Sequence, residues 1–215
     1  MTRIMTRNVT SNLPAIFLIL ALALVPACGG GHDDHDHADG EHAGAFENIS
    51  KAVCVLSPTQ HTELTNVTGT ITFTQTKDGL LVKAQVSGLK PNSKHGFHVH
   101  QFGDLTKADG TATGGHYNPG NAEKHSLPED HEDHGHSITG GHAGDLGNLE
   151  SDADGNATYE KTFANITLTG KNAVLGRGII VHLDEDKGID AQPTGGAGPR
   201  VAQGVIGIAQ VEKDK

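Results

Sequence analysis

The sequence predicts an all-β domain, an antiparallel sandwich or flattened barrel with two long loops. Aromatic residues make up 4% of the chain, Trp is missing and 29 residues are Gly, a composition that suits a loop-rich β protein better than a helical one. Apolar and polar residues alternate over several short runs, as they do in half-buried strands. No segment shows a convincing helical period.

Residues 1–27 have the pattern of a targeting segment. Arg3 and Arg7 precede an apolar core over residues 13–24, which is too short to span a bilayer comfortably. A small residue and then Cys28 follow, an arrangement that resembles the signal of bacterial lipoproteins. We therefore expect Cys28 to carry a lipid; an ordinary secretory signal with an incidental Cys is the alternative.

Residues 28–46 are predicted to be a flexible linker. Its glycines, charged residues and histidines leave almost no apolar content, so the segment cannot build a core. Neutral imidazole is a good ligand for Cu(II), and neighbouring carboxylates raise the local concentration of cations. We expect copper acquisition, with a plain spacer as the alternative. The candidate auxiliary ligands are His32, His35, His37 and His42.

Residues 47–215 are predicted to form the β domain. The expected strands cover residues 51–56, 67–74, 82–87, 97–100, 157–163, 178–183 and 204–211. Cys54 lies in the first of them, and we expect a buried, inert thiol there. Residues 103–150 are rich in Gly and His without periodicity, and a loop of that length inside a domain is usually functional.

The composition excludes one class of partner and indicates one class of ligand. The formal net charge of -10 argues against nucleic acid, because phosphate backbones demand clustered Lys and Arg, whereas the 15 His indicate metal. His98 and His100 lie two apart on a predicted strand, so both imidazoles leave from the same face. This pair alone is weak evidence, but further ligand-type residues follow it: His116, His125, His142, Asp145 and His182.

Four motifs strongly resemble the copper/zinc superoxide dismutase family. They occur in the family's order over about residues 50 to 212, at 96–104, 115–119, 144–148 and 198–209. The resemblance implies a Greek-key barrel or sandwich of about eight strands. It also implies an enzyme of the bacterial cell envelope, lipid-anchored on its periplasmic or extracytoplasmic face, that converts superoxide to dioxygen and hydrogen peroxide by copper redox cycling.

The resemblance assigns a role to each candidate residue, with one copper and one zinc per chain. The implied copper ligands are His98, His100, His116 and His182. The implied zinc ligands are His116, His125, His142 and Asp145, with His116 bridging both metals and supplying a catalytic proton. Asp186 matches the carboxylate that links a copper His to a zinc His. Arg200 matches the catalytic cation beside the copper, and Thr194 matches the residue on the opposite wall of the channel.

The chemistry of these residue types agrees with the implied roles. Imidazole suits copper and zinc, and three nitrogens plus one carboxylate close a tetrahedral zinc shell, so we expect the zinc to be structural. A carboxylate that holds the far nitrogen of a ligand His fixes its orientation. A permanently charged guanidinium attracts a small anion.

The sequence departs from the family pattern in its loops. Gly110 and Gln203 stand where most members have a disulfide, which leaves loop rigidity and homodimer contacts open. The segment between His182 and Arg200 is acidic, so steering must come mainly from Arg200 and the metals. A third departure is a set of extra histidines, which form a solvated insertion, substitute for a zinc ligand or bind a further ion: His131, His134 and His136.

Two histidines without a motif, His61 and His95, are expected at the surface. Two non-enzyme hypotheses stay open beside the dismutase: a copper-binding or copper-delivery lipoprotein that lacks turnover, and a purely structural envelope sandwich. The structural hypothesis leaves seven ligand-type residues without a role. A copper-only dismutase is disfavoured because the zinc-type residues His125, His142 and Asp145 are present.

Overall fold

The computed structural model describes residues 49–61, 63–128 and 141–210. The predicted signal peptide, most of the predicted linker and the extra histidines lie outside these residues. None of the described residues belongs to a helix with the length and apolar character needed to cross a membrane.

The described part of the chain contains nine strands, two 3₁₀ turns at Thr111–Thr113 and Gly188–Asp190, and no α-helix. The strands are β1 (Lys51–Pro58), β2 (Thr68–Thr76), β3 (Gly79–Ser87), β4 (Lys94–His100), β5 (Asp145–Glu150), β6 (Ala157–Phe163), β7 (Gly178–His182), β8 (Arg200–Val205) and β9 (Gly207–Ile208).

The strands form one antiparallel sheet that nearly closes into a barrel. Its order is β5-β4-β7-β8-β1-β2-β3-β6, with β9 paired to β1. Ser151, directly after β5, forms a bridge with Ala157, at the start of β6. The two strands at the ends of the sheet order meet at this bridge. The predicted all-β antiparallel barrel is therefore confirmed. Two long segments connect its strands, residues 101–144, of which 129–140 lie outside the described residues, and the loop 183–199.

The alternation seen in the sequence sets the register of the first strands. Ile71 and Phe73 of β2 lie opposite Ala84 and Val82 of β3, and all four side chains are buried in one core inside the barrel. Thr72, which lies between Ile71 and Phe73, is exposed. A slip of one residue would expose this apolar set to water, so the pattern fixes the pairing.

Two strand predictions need correction. The last six residues of the predicted loop 103–150 form β5, and the strand expected to begin at residue 204 begins at Arg200 and stops at Val205 before the short β9. In both β5 and β8 inward and outward positions are mostly buried. Strands covered on both sides lose the apolar-polar alternation that identifies β2 and β3.

Cys54 agrees with its prediction. Its thiol is free and fully buried among core residues, and burial raises its pKa to about 12. A thiol with such a pKa stays protonated and inert at neutral pH.

The surface location expected for His95 is wrong. His95 is fully buried on β4, opposite Leu149 of β5, and its Nδ1 lies 3.0 Å from the backbone oxygen of His182. The ring therefore ties β4 to the end of β7. His61 is partly exposed, and its Nδ1 accepts a hydrogen bond from the backbone N–H of Glu63 at 3.2 Å.

Replacing His95 with Ala should lower the free energy of unfolding by about 3 kcal/mol, because it leaves a cavity and an unpaired carbonyl in the barrel. The matched change His61→Ala should alter it by less than about 0.5 kcal/mol. Urea denaturation of both variants with the metals removed measures the difference. Equal effects would contradict the burial of His95.

Candidate metal centre

Four histidines converge at one end of the barrel, and we call them the four-histidine cluster: His98, His100, His116 and His182. His98 and His100 leave β4, and His182 ends the neighbouring strand β7. The loop after β4 returns to make a bridge between His100 and His116. The candidate ligand atoms of the four rings lie within 4.8 Å of one another, and all four residues are buried.

A second group shares one member with the first, and we call it the aspartate cluster: His116, His125, His142 and Asp145. Its candidate ligand atoms also lie within 4.8 Å of one another. Asp145 begins β5 directly opposite His98 of β4, so the sheet itself places the two clusters side by side.

Three rings of the four-histidine cluster, all but that of His116, have one nitrogen fixed by an oxygen that belongs to neither cluster. His98 Nε2 lies 2.7 Å from Asp186 Oδ2, His100 Nδ1 lies 2.9 Å from the Gly114 oxygen, and His182 Nδ1 lies 2.8 Å from the Gly198 oxygen. These nitrogens donate, since carboxylate and carbonyl oxygens only accept.

The opposite nitrogens of those rings are buried and make no hydrogen bond with any described residue: His98 Nδ1, His100 Nε2 and His182 Nε2. Buried polar atoms are almost always satisfied. A metal ion bound by all of them satisfies the set, and hydrogen bonds on the far nitrogens are what metal-ligating histidines usually have. The residues therefore fit a metal with imidazole ligands.

The aspartate cluster has the same character. Asp145 Oδ1 lies 2.9 Å from His116 Nδ1, and Asp145 Oδ2 lies 2.9 Å from His125 Nδ1. His125 Nδ1 and His142 Nδ1 are nevertheless unpaired by hydrogen-bond geometry. They sit close to the carboxylate without the alignment that a shared proton needs, as co-ligands of one ion do. Three nitrogens and one oxygen match a closed zinc shell.

Asp186 connects the two clusters. It is fully buried, and its Oδ1 lies 2.7 Å from His125 Nε2 while Oδ2 contacts His98. The Gly188 N–H also donates to Oδ1 at 2.8 Å. The sequence-predicted link between a copper-type and a zinc-type histidine is thus present as direct contacts in the structure.

The electrostatics favour the metal-binding form of the four-histidine cluster. Burial holds the pKa of His100 and of His182 well below the ordinary value, and the neighbouring rings act in the same direction. Burial likewise lowers the pKa of His116 to about 4. These rings are neutral at pH 7, which is the state that ligates metals.

His125 has the opposite electrostatic balance. Burial lowers its pKa, but the carboxylates of Asp145 and Asp186 outweigh that effect and raise it to about 9. The same contacts hold the pKa of Asp186 well below its usual range despite its burial. At neutral pH a metal that binds His125 must therefore displace a proton.

Arg200 begins β8 opposite His182 of β7. Its guanidinium donates to the carbonyl of Gly110, to Thr113 Oγ1 at 2.9 Å and to the carbonyl of Gly114 at 2.7 Å. Because Gly114 also accepts from His100, the charged group lies beside the four-histidine cluster. Thr194 is exposed in the loop 183–199.

The loop that lacks the family disulfide is joined to β8 by hydrogen bonds. Gln203 is buried, and its Nε2 donates to the Lys107 carbonyl at 3.3 Å. Gly110 has φ 78°, a backbone conformation that L side chains rarely adopt, and its carbonyl accepts from Arg200. Hydrogen bonds from Arg200 and Gln203 therefore tie this loop to β8.

Sequence reasoning missed two residues that hold the site. Asn148, within the motif at 144–148, donates from Nδ2 to the Asp186 oxygen at 2.9 Å and accepts from the Asp186 N–H at 2.8 Å. Gln192 makes an equivalent pair of bonds to His125. The motif pointed to Asn148; for Gln192, no spacing signal exists in a single sequence.

The family model described as copper/zinc superoxide dismutase matches residues 67–206. The chain belongs to that family. The dismutase is 42% identical over 167 residues to a protein named extracellular superoxide dismutase [Cu-Zn] from Drosophila melanogaster, covering 74% of this chain and 86% of the relative. The cofactors of the present chain are copper and zinc, and its substrate is superoxide. The chain is therefore an oxidoreductase, and the two non-enzyme hypotheses are set aside.

A solved structure agrees with this fold. It is titled as a crystal structure analysis of the clock protein EA4 and aligns with a TM-score of 0.64 and 37% identity. The alignment covers 76% of this chain and 98% of that structure. The dismutase barrel therefore accounts for nearly the whole of a related chain.

The absence of a Cys at positions 110 and 203 predicts that thiol reductants leave the dismutase unaffected, because Cys54 is buried and free. The melting temperature of the metal-replete protein should be the same with and without dithiothreitol. A large drop that metal analysis cannot trace to lost copper or zinc would reveal a bridge between chains.

Proposed function

We propose that the four-histidine cluster holds the copper of this dismutase and that the aspartate cluster holds its zinc. The observation that carries the assignment is the pair of clusters sharing His116, with buried ring nitrogens left unpaired around each. Four imidazoles suit copper, whereas the set with one carboxylate suits a structural zinc. Metal analysis together with superoxide consumption tests the assignment, and one copper and one zinc per chain are expected.

Copper, when bound, supplies the one-electron redox chemistry by which superoxide is both oxidised to dioxygen and reduced to hydrogen peroxide. The chain's own residues hold the proton and the anion. His116 has its Nδ1 against Asp145, which leaves Nε2 for the copper side. A proton carried at Nε2 of His116 is placed to pass to the peroxide product.

Arg200 attracts the substrate. Burial lowers the pKa of its guanidinium, but an arginine stays charged at neutral pH. The loop that carries Thr194 is acidic, because Asp184, Glu185, Asp186 and Asp190 outnumber its single cationic residue, Lys187. A positive charge fixed beside the four-histidine cluster is then the main protein group that favours the approach of superoxide, with Thr194 on the opposite wall.

Replacing His100 with Ala should abolish turnover, because it removes one of four copper ligands on a rigid strand. Copper content should fall while zinc content is retained, since His100 belongs to one cluster only. Metal analysis and a superoxide-consumption assay measure both. The control is His61→Ala. Full activity in His100→Ala would contradict the copper assignment.

Replacing Arg200 with Ala should slow superoxide consumption by roughly 10- to 100-fold at low salt, in line with typical gains from steering. Both metals should remain bound. Arg200→Lys keeps a charge and should retain part of the rate and its salt dependence. Kinetics of Arg200→Ala equal to those of the wild type at low ionic strength would refute the role of the guanidinium.

We also propose that the enzyme works in the bacterial cell envelope, on the periplasmic or another extracytoplasmic face. Residues 1–27 serve as a lipoprotein signal, residues 28–46 as the linker and residues 47–215 as the dismutase domain. The name of the Drosophila relative, an extracellular enzyme, supports export. Cell fractionation of Cys28→Ser tests the anchor: the variant should leave the membrane fraction.

The linker histidines are proposed to acquire copper. The support is the sequence, in which His32, His35, His37 and His42 are interspersed with carboxylates. Deleting residues 32–42 should lower activity when copper is limiting and leave it normal in excess copper. Equal loading at every copper supply would reduce the segment to a spacer.

A homodimer is proposed from an exposed apolar surface. Val55 is 65% exposed, Phe102 58% and Ile208 54%. β1 and β9, which carry Val55 and Ile208, are paired. A two-fold contact would bury these side chains on both copies. Sedimentation velocity should show a dimer that Ile208→Asp dissociates.

A further inference from the structure

His125 lies in an irregular segment after β4, outside any strand, so no ladder pairs its backbone. Both backbone groups instead bind one side chain. The His125 N–H donates to Gln192 Oε1 at 2.9 Å, and Gln192 Nε2 donates to the His125 oxygen at 2.7 Å. A carboxamide offers one acceptor and one donor in a plane, which matches the two groups of a single residue.

The loop 183–199, which carries Gln192, is folded on itself and pressed against the metal clusters. The Lys187 N–H donates to the Gly195 oxygen at 2.8 Å, and the Asp184 N–H donates to the Ala197 oxygen at 2.9 Å. A Cβ built on Gly195 would lie 2.6 Å from His125 Nε2, so this contact leaves no room for a side chain.

The same loop therefore holds His125 at two points. Asp186 contacts the far nitrogen of the ring at 2.7 Å, and Gln192 fixes the backbone from which the ring projects. Together they set the direction of the Cα–Cβ bond and the tilt of the imidazole. The two-bond arrangement recurs at Asn148, which fixes the backbone of Asp186.

We propose that Gln192 is a positioning residue for the zinc site. It holds the backbone of His125 so that Nδ1 faces Asp145, and it joins the zinc-binding loop to the loop that forms the channel wall. The inference rests on the proposed zinc assignment. Partners that orient metal ligands are worth about 10- to 100-fold in metal affinity. Because Gln192 is exposed, we expect the lower end, about 10-fold.

Two variants separate hydrogen bonding from packing. Gln192→Ala removes the side chain, and Gln192→Met keeps its length without donor or acceptor. The matched control is Gln75→Ala, since Gln75 accepts from the Leu168 N–H at 3.1 Å and donates to the Thr76 oxygen, partners outside both clusters. The full-length protein is loaded with zinc, and its zinc affinity is measured by competition with a chelator.

A second readout is the visible spectrum of Co²⁺ bound in place of zinc, which reports the ligand geometry directly. Both Gln192 variants should bind zinc about 10-fold more weakly and give an altered Co²⁺ spectrum, with copper content unchanged. Gln75→Ala should lose stability without either change. Gln192 variants with wild-type zinc affinity and spectrum would overturn the inference, and so would an equal loss of affinity in Gln75→Ala.

The proposed function fails in a different way. If the wild-type protein itself gives no four-coordinate Co²⁺ spectrum, the zinc assignment is wrong and the role of Gln192 falls with it. If the wild type gives that spectrum and the variants match it, the zinc assignment stands and Gln192 is an ordinary surface residue.

Discussion

The metal centre depends on one buried carboxylate. Asp186 has no exposure to solvent, and an isolated buried charge is costly unless it is paired and hydrogen-bonded. Its oxygens contact His98 and His125 and accept from the Gly188 N–H. These hydrogen bonds to the Asp186 carboxylate form only if β4, the segment that carries His125 and the loop 183–199 meet at one point. The contacts that stabilise the buried charge therefore also assemble both clusters.

The rest of the centre divides between rigid strands and loops that have little core of their own. The strands β4 and β7 deliver three of the four copper-type histidines in a register fixed by apolar pairing. The loops are held instead by polar side chains that bind backbone groups, namely Asn148, Gln192 and Arg200. Hydrogen bonds of this kind contribute about 1 kcal/mol each, so the loop half of the centre is the weaker half.

Burial decides which strands of this structure can be predicted from the alternation of apolar and polar residues. β2 and β3 are visible because one face of each meets water, whereas β5 and β8 are covered on both faces and show no alternation. Spacing and motifs in the sequence singled out the residues that the structure brings together in the two clusters. The burial of His95 was not predictable. Its Nδ1 is hydrogen-bonded to a backbone oxygen inside the barrel, and in a single sequence such a histidine has the same appearance as any polar residue.

The loss of the family disulfide changes what Arg200 has to do. A disulfide closing a loop of this size would contribute a few kcal/mol in the chain-entropy model, whereas the Gln203 bond to Lys107 contributes about 1 kcal/mol. Much of the tethering therefore falls on Arg200, which makes three hydrogen bonds to the loop around Gly110 and Gly114. A guanidinium has five N–H donors. Among the described residues, those three bonds leave Nε–H and one N–H of Nη2 without a hydrogen-bond acceptor. Tethering the loop therefore leaves part of the guanidinium's donor capacity for an anion that approaches the four-histidine cluster.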